Sequence, residues 1–257
     1  MKVTVCEMRN DREGFSLDWD DLVAHVRRES TQLVLLPEMP FSPWWMANAD
    51  VAPGVWDSAV LVHEAWIKRL SQLSPAAVVC TRPIVVDSNR YNEGFVWSDQ
   101  GGCFAAHRKF YLPNQPGFWE ASWYSKGNGE FEPAQLGTAK IGFLICTELW
   151  SSESARSYML KDVHIIVTPR STPRSSVEKW IVGGRATAIV AGAYSLSSNR
   201  VGMGDNATQF GGHGWVIDPD GEVLGTTSDG NKFLTIEIDL DKAAQAKNTY
   251  PRYVFRT

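Results

Sequence analysis

Three residues of this chain, Glu38, Lys109 and Cys146, are of types that together make a complete hydrolytic set. A glutamate can take a thiol proton, the thiolate can attack a carbonyl or nitrile carbon, and an ammonium can stabilise the oxyanion that develops. No histidine is required. Cys146 closes the run Lys140-Ile141-Gly142-Phe143-Leu144-Ile145, which is short and apolar and reads as a buried strand. Thr147, Glu148, Ser151, Ser152 and Glu153 follow, small polar and acidic residues that favour a helix start, and a helix is expected from Glu153 to Lys161. A thiol at such a turn faces backbone N–H groups, which lower its pKa and supply an oxyanion site. A buried structural cysteine ending a core strand is the alternative.

Each partner also stands at the end of a strand-like run. Gln32-Leu33-Val34-Leu35-Leu36 is nearly all apolar, as expected of a strand covered on both faces, and Pro37 ends it, leaving Glu38 just beyond. There Glu38 is either an exposed turn residue or a buried base whose pKa the aromatic loop Phe41-Ser42-Pro43-Trp44-Trp45 raises by desolvation. Lys109 ends the run from Gly102 to Arg108 and precedes a long loop, Phe110 to Phe131, rich in glycine, proline and aromatics. Loops of that length are functional or mobile; a solvated lysine is the plainer account of Lys109. In open α/β sheets ligands gather at the carboxyl ends of strands, so the three residues could meet.

The remaining pattern supplies such a scaffold. Strands are expected at 2–8, 76–81, 84–86, 94–97, 162–169, 192–198 and 233–238. Helices are expected at 18–29, at 60–73 with Leu61, Val62, Trp66, Ile67 and Leu70 inward, and at 177–190. Turns are assigned to Asn89-Arg90 and Asn199-Arg200-Val201-Gly202, and Gly214 to Leu224 reads as a hairpin about Pro219-Asp220-Gly221. The basic tail, 242–257, is expected to pack on another subunit or fray. No linker, repeat or low-complexity tract divides the 257 residues, so one domain is expected.

Composition bounds the function. Hydrophobic residues are 44% and charged residues 21%, the balance of a soluble globular protein. The net charge of −4 and the absence of a basic run argue against nucleic acid or membrane partners. No apolar signal core opens the chain, and no run approaches the ~18 residues of a membrane helix. Cys6, Cys80, Cys103 and Cys146 are scattered singly, without metal or redox spacing. A cytoplasmic enzyme without metal or cofactor is the expectation. Eleven tryptophans, several near the candidate residues, suggest core packing or an aromatic-walled pocket.

Taken together, these stretches resemble the nitrilase, or carbon–nitrogen hydrolase, superfamily, whose members use a Glu-Lys-Cys triad. Leu35-Leu36-Pro37-Glu38 looks like its glutamate motif. His107-Arg108-Lys109 with Pro116-Gly117-Phe118-Trp119-Glu120 looks like its lysine motif, and Ile141-Gly142-Phe143-Leu144-Ile145-Cys146 like its nucleophile motif. Asn199-Arg200-Val201-Gly202 and Asp218-Pro219-Asp220-Gly221-Glu222 resemble two later landmarks. The resemblance implies an α/β fold, a four-layer αββα sandwich that forms a homodimer or larger homo-oligomer, with Glu38, Lys109 and Cys146 catalytic. It also suggests Glu120 as a second active-site carboxylate, although Glu120 could be a surface acid. The Thr147 N–H would join Lys109 as an oxyanion donor. Trp44, Trp45, Phe118 and Trp119 would wall the pocket, or simply pack. Arg170 or Arg174 could clamp a substrate carboxylate, or belong to an exposed basic loop. Thr147-Glu148-Leu149-Trp150 after the cysteine departs from the common family pattern, which leaves the substrate open. The expected activity is hydrolysis of a small amide or N-carbamoyl compound through an acyl-enzyme. A nitrilase is the enzymatic alternative, and a non-catalytic oligomeric binding protein the alternative of another class.

Overall fold

Alternation along the strands decides the architecture. In β1 (Lys2–Arg9), Val3 and Val5 point one way and Cys6 and Met8 belong to the opposite core. In β2 (Leu33–Leu35), Leu33 and Leu35 face with Val3, whereas Val34 and the following Leu36 face with Cys6. Both faces of these strands are therefore buried, which requires a layer on each side. The computed structural model describes residues 1–204 and 208–256.

On one side, α1 (Arg12–Glu29) and α2 (Val55–Ile67) pack Trp19, Leu22, Val26 and Trp66 against Val34, Val78 and Phe95. On the other, Val3, Leu35 and Val79 meet Ile141, Phe143, Val167 and Leu196 of a second set of strands. The first set comprises β1, β2, β3 (Ala77–Val86), β4 (Asn89–Ser98) and β5 (Gly102–Arg108), edged by a late strand, Phe233–Glu237. The second comprises β6 (Ala134–Leu136), β7 (Ala139–Phe143), β8 (Ile165–Arg170) and β9 (Tyr194–Met203), with the shorter strands Gln209–Gly211, Trp215–Ile217 and Val223–Thr226 beyond. The carboxyl end of β1 pairs with β9 and joins the two sets. Behind the second set lie two helices, Ser152–Leu160 and Val177–Ala191, which bring Tyr158 and Ala191 against Leu144 and Ile166. The expected αββα sandwich is the fold observed.

Local chemistry explains where the elements stop. Asp11 caps α1 by accepting from the Gly14 N–H, and Ser151 caps the helix after Cys146 by accepting from the Ser154 N–H. Gly142 must be glycine, because a Cβ there would lie 2.8 Å from the Tyr158 ring. That ring's hydroxyl bonds both the N–H and the carbonyl of Phe143.

Several local expectations are corrected. The β3–β4 hairpin turns at Asp87 and Ser88, both at positive φ, and Asn89-Arg90 already belong to β4. Residues 76–81 and 84–86 form one strand, since at Pro83 only β4 pairs with it, opposite Asn92, and no ladder bond is lost there. Leu61 is exposed, because the buried face of α2 runs through Trp56, Ala59 and His63. Asn199 to Gly202 do not turn; they continue β9, which is paired on both sides. The tail does not simply fray: Lys247 is buried and donates to the carbonyls of Val163 and Gly192, and Arg252 is buried as well, while Tyr250, Tyr253, Val254 and Phe255 are exposed. No helix among the described residues is long and apolar enough to cross a membrane.

Candidate active site

Glu38, Lys109 and Cys146 converge. Each leaves the carboxyl end of a strand, respectively β2, β5 and β7, on the same rim of the sandwich, and all three are buried. Lys109 sits between two carboxylates, its Nζ donating to Glu38 Oε1 at 2.8 Å and to Glu120 Oε2 at 2.6 Å. Asn92 Nδ2 also donates to Glu38 Oε1 at 2.8 Å, and Tyr124 donates its hydroxyl to Glu120 Oε2. This leaves Glu38 Oε2 and Glu120 Oε1 buried without a protein hydrogen-bond partner. A buried carboxylate oxygen with free lone pairs is a ready proton acceptor. Glu120 is thus no surface acid.

Electrostatics separate the groups. Burial pushes Glu120 up to about 7, against the pull of Lys109 and with the push of Glu38. Burial opposes the Lys109 ammonium, but Glu120 and Glu38 more than offset it, so its pKa rises well above the ordinary lysine value and it stays charged. Cys146 departs from expectation. Burial raises its thiol pKa, Glu38 raises it further, and Lys109 and a hydrogen bond from the Ser171 backbone only partly oppose them. Burial therefore favours the protonated thiol, and the nearby Glu38 charge pushes in the same direction.

The backbone that carries these groups is tightly held. Cys146 has φ +49° and opens a 3₁₀ turn, Cys146–Trp150, a left-handed conformation that costs a non-glycine residue about 1–3 kcal/mol. Glu148 secures it from inside. Its carboxylate accepts from the Ile145 N–H at 2.8 Å and the Phe110 N–H at 2.7 Å, and His107 Nε2 donates to it at 2.9 Å. One carboxylate therefore joins the residue before Cys146 to the residue after Lys109. Met39, after Glu38, is also at positive φ. There Arg200 is the clamp: its Nη2 donates to the carbonyls of Glu38 and Met39, Nη1 to the Ser42 carbonyl and Nε to Ser171 Oγ. Asn199 holds the facing loop, accepting from the Thr172 N–H and donating to the carbonyls of Thr172 and Gly212. The Asn-Arg motif thus serves the site from within a strand.

Cys146 and Glu120 open into a cavity of about 280 Å³, walled by Phe118, Trp150 and Trp180, with Thr147, Gln115 and Lys179 among the polar residues that line it. Of the aromatic residues expected to wall the pocket, Phe118 does so, and Thr147 lines it beside Cys146. Trp44, Trp45 and Trp119 pack instead in a separate aromatic cluster with Met46, Trp56 and Trp123, and Trp45 lines a different groove beside α2. Arg170 is not a free clamp. It is fully buried over the Trp215 ring, and its Nε, Nη1 and Nη2 donate to Ser197 Oγ, Thr172 Oγ1 and the His213 carbonyl. Arg174 is exposed and does not line the cavity. Asn92, Tyr124 and Trp180 went unrecognised in the sequence. Only Tyr124 carried a signal there, standing one helical turn after Glu120. Among the described residues no group of three His, Cys, Asp or Glu side chains could hold a metal ion.

Comparison with known proteins shows the family. The family described as carbon–nitrogen hydrolase matches residues 2–248. N-carbamoylputrescine amidase of Solanum tuberosum is 27% identical over 252 residues, covering 90% of this chain and 83% of the relative. 2-Oxoglutaramate amidase of Bacillus subtilis is 23% identical over 229 residues, covering 88% and 86%. The crystal structure of a carbon–nitrogen hydrolase from Helicobacter pylori superposes with a TM-score of 0.86 at 23% identity, covering 100% of this chain and 95% of that one. With nearly the whole chain matched and the three buried groups meeting on one rim, the protein belongs to the carbon–nitrogen hydrolase family and is an enzyme of that class.

Proposed function

We propose that this protein is a thiol amidase, hydrolysing a small amide or N-carbamoyl compound through an acyl-enzyme on Cys146. The observation that carries the proposal is the buried Glu38, whose Oε2 has no protein partner and whose charge acts on the Cys146 thiol. Glu38 takes the thiol proton as the sulfur attacks the carbonyl carbon, because a thiol raised by burial does not ionise beforehand. The oxyanion forms against the Lys109 ammonium and the Thr147 N–H. Collapse of the tetrahedral intermediate breaks the C–N bond, Glu38 returns the proton to the leaving nitrogen, and ammonia departs. Water then attacks the thioester, a carboxylate takes its proton, and the acid leaves as the thiol re-forms. From an N-carbamoyl group the departing carbamic acid also yields carbon dioxide and the amine. Glu120, bonded to Lys109, orients the ammonium. The small cavity suits a small substrate. Both curated relatives are named as amidases, which supports an amide or carbamoyl group over a nitrile.

The test is ammonia release from a panel of amides, N-carbamoyl compounds and nitriles, with intact-protein mass recorded during turnover. Turnover of amides with an acyl adduct, both lost in Cys146→Ala, is the expected result. Undiminished turnover by Cys146→Ala would overturn the mechanism, and turnover of nitriles alone would overturn the substrate class.

A further inference from the structure

Removing Arg170 as a substrate clamp leaves the cavity with another cation. Lys179 lies in the first turn of the helix Val177–Ala191, is exposed, and lines the same cavity as Cys146 and Glu120. Among the described residues it makes no ion pair. The other ionisable groups of this cavity are Glu120 and the thiol. Glu120 is held at the buried end by Lys109 and Tyr124. The rings of Phe118, Trp150 and Trp180 line the same cavity. Trp180 is nearly buried, and Trp150, half exposed, stands 5.1 Å from it, centroid to centroid.

The cavity therefore joins a buried thiol, apolar rings and an exposed cation. On the reading of the protein as a thiol amidase, we propose that Lys179 selects substrates with an anionic group, such as a carboxylate, at the end remote from the scissile C–N bond. Anionic substrates gain a charge-assisted hydrogen bond or ion pair there, and substrates ending in an ammonium meet like charge. An adjoining groove offers a competing feature. This second groove shares Thr147 and Trp150 with the cavity and carries Glu153, so a substrate bending that way would favour a cation instead.

The experiment compares amides of matched length ending in a carboxylate or in an amine, over a short series of chain lengths. It reads the ratio of kcat/KM values for the two ends within one enzyme preparation, so loss of folded protein cancels. In the wild type the carboxylate should be favoured about two- to fivefold, the worth of an ion pair to an exposed ammonium. The preference should reside mainly in KM. Lys179→Met should bring the ratio towards one and Lys179→Glu should invert it. If amides are hydrolysed with no preference, or with a preference that Lys179→Glu leaves in place, the proposal fails while the thiol amidase stands. A wild-type preference for the amine, reversed by Glu153→Lys, would move selection to the second groove and equally overturn it. If no amide is hydrolysed and no adduct forms on Cys146, the amidase reading falls and takes this proposal with it.

Discussion

Glu148→Gln is the sharpest perturbation available, because it changes almost no volume and no residue that meets substrate. The wild-type carboxylate divides its acceptors, Oε1 serving the Phe110 N–H and Oε2 the Ile145 N–H, with His107 Nε2 shared between them. Glutamine has a single acceptor oxygen. Whichever way its amide turns, one of the two N–H groups faces an NH₂. A buried donor left unpaired costs about 1–3 kcal/mol, a sizeable part of the about 5–15 kcal/mol that holds a typical domain folded. The same two amides flank Lys109 and Cys146, and the Cys146 backbone is already in a left-handed conformation that relaxes once its restraint goes. Displacing reacting groups by about 1 Å costs on the order of 10²-fold in rate. Urea unfolding should show stability lower by about 1–3 kcal/mol. Steady-state ammonia release from the best amide should show kcat lower by about 10- to 100-fold, with KM moving less. Loss of stability with kcat intact would mean that Glu148 holds the fold but not the alignment of Lys109 and Cys146. No change in either would refute the role altogether.

Glu120 gives a pH prediction with opposite signs for activity and stability. Its carboxyl titrates near 7 when folded and about 4.5 when unfolded, so between those values the folded state holds the extra proton. Its contribution to stability is full below about 4.5 and is lost as pH rises through about 7; Glu120→Gln should flatten that part of a stability–pH curve. Activity should instead rise through about pH 7, as the ionised carboxylate fixes Lys109, and that limb should vanish from the kcat/KM profile of Glu120→Gln. For Arg200, lysine keeps the charge but cannot span the carbonyls of Glu38, Met39 and Ser42 together with Ser171 Oγ. Arg200→Lys should cost about 1–3 kcal/mol in chemical denaturation, the range for leaving a buried polar group without its partner. Wild-type-like unfolding would show that the Glu38 loop holds itself.

Much of the site was legible before any coordinates because each candidate stands where a strand pattern breaks. Pro37, the end of the β5 run and the polar stretch after Ile145 mark three strand ends, and carboxyl ends of strands in such sheets gather on one rim. The buried run at Leu33–Leu36 likewise announced a strand covered on both faces, whereas the four-layer sandwich was implied only by the resemblance to the carbon–nitrogen hydrolases. Turn assignments were less secure. Asn199-Arg200-Val201-Gly202 has turn composition but lies in a strand, because Asn199 and Arg200 spend their polar groups on neighbouring loops. The 134–136 strand was missed because three residues carry too little periodicity to register, and it forms only by pairing with β7.

The sequence by itself determined the chemistry available: a thiol, a lysine and a glutamate, the strand ends that carry them, and the mixture of strands and helices that makes an α/β scaffold. Those follow from residue type and local period, which are properties of the chain at short range. Only the tertiary structure decided how the groups act. It set the thiol pKa upwards where the turn alone suggested downwards, because desolvation depends on everything packed around the sulfur. It enclosed Arg170 and left Lys179 at the cavity, two cations that local pattern cannot tell apart. It also sent Trp44, Trp45 and Trp119 to a packing cluster and Trp150 and Trp180 to the cavity wall, since which face of an aromatic-rich loop meets the site is fixed by distant contacts rather than by neighbours in sequence.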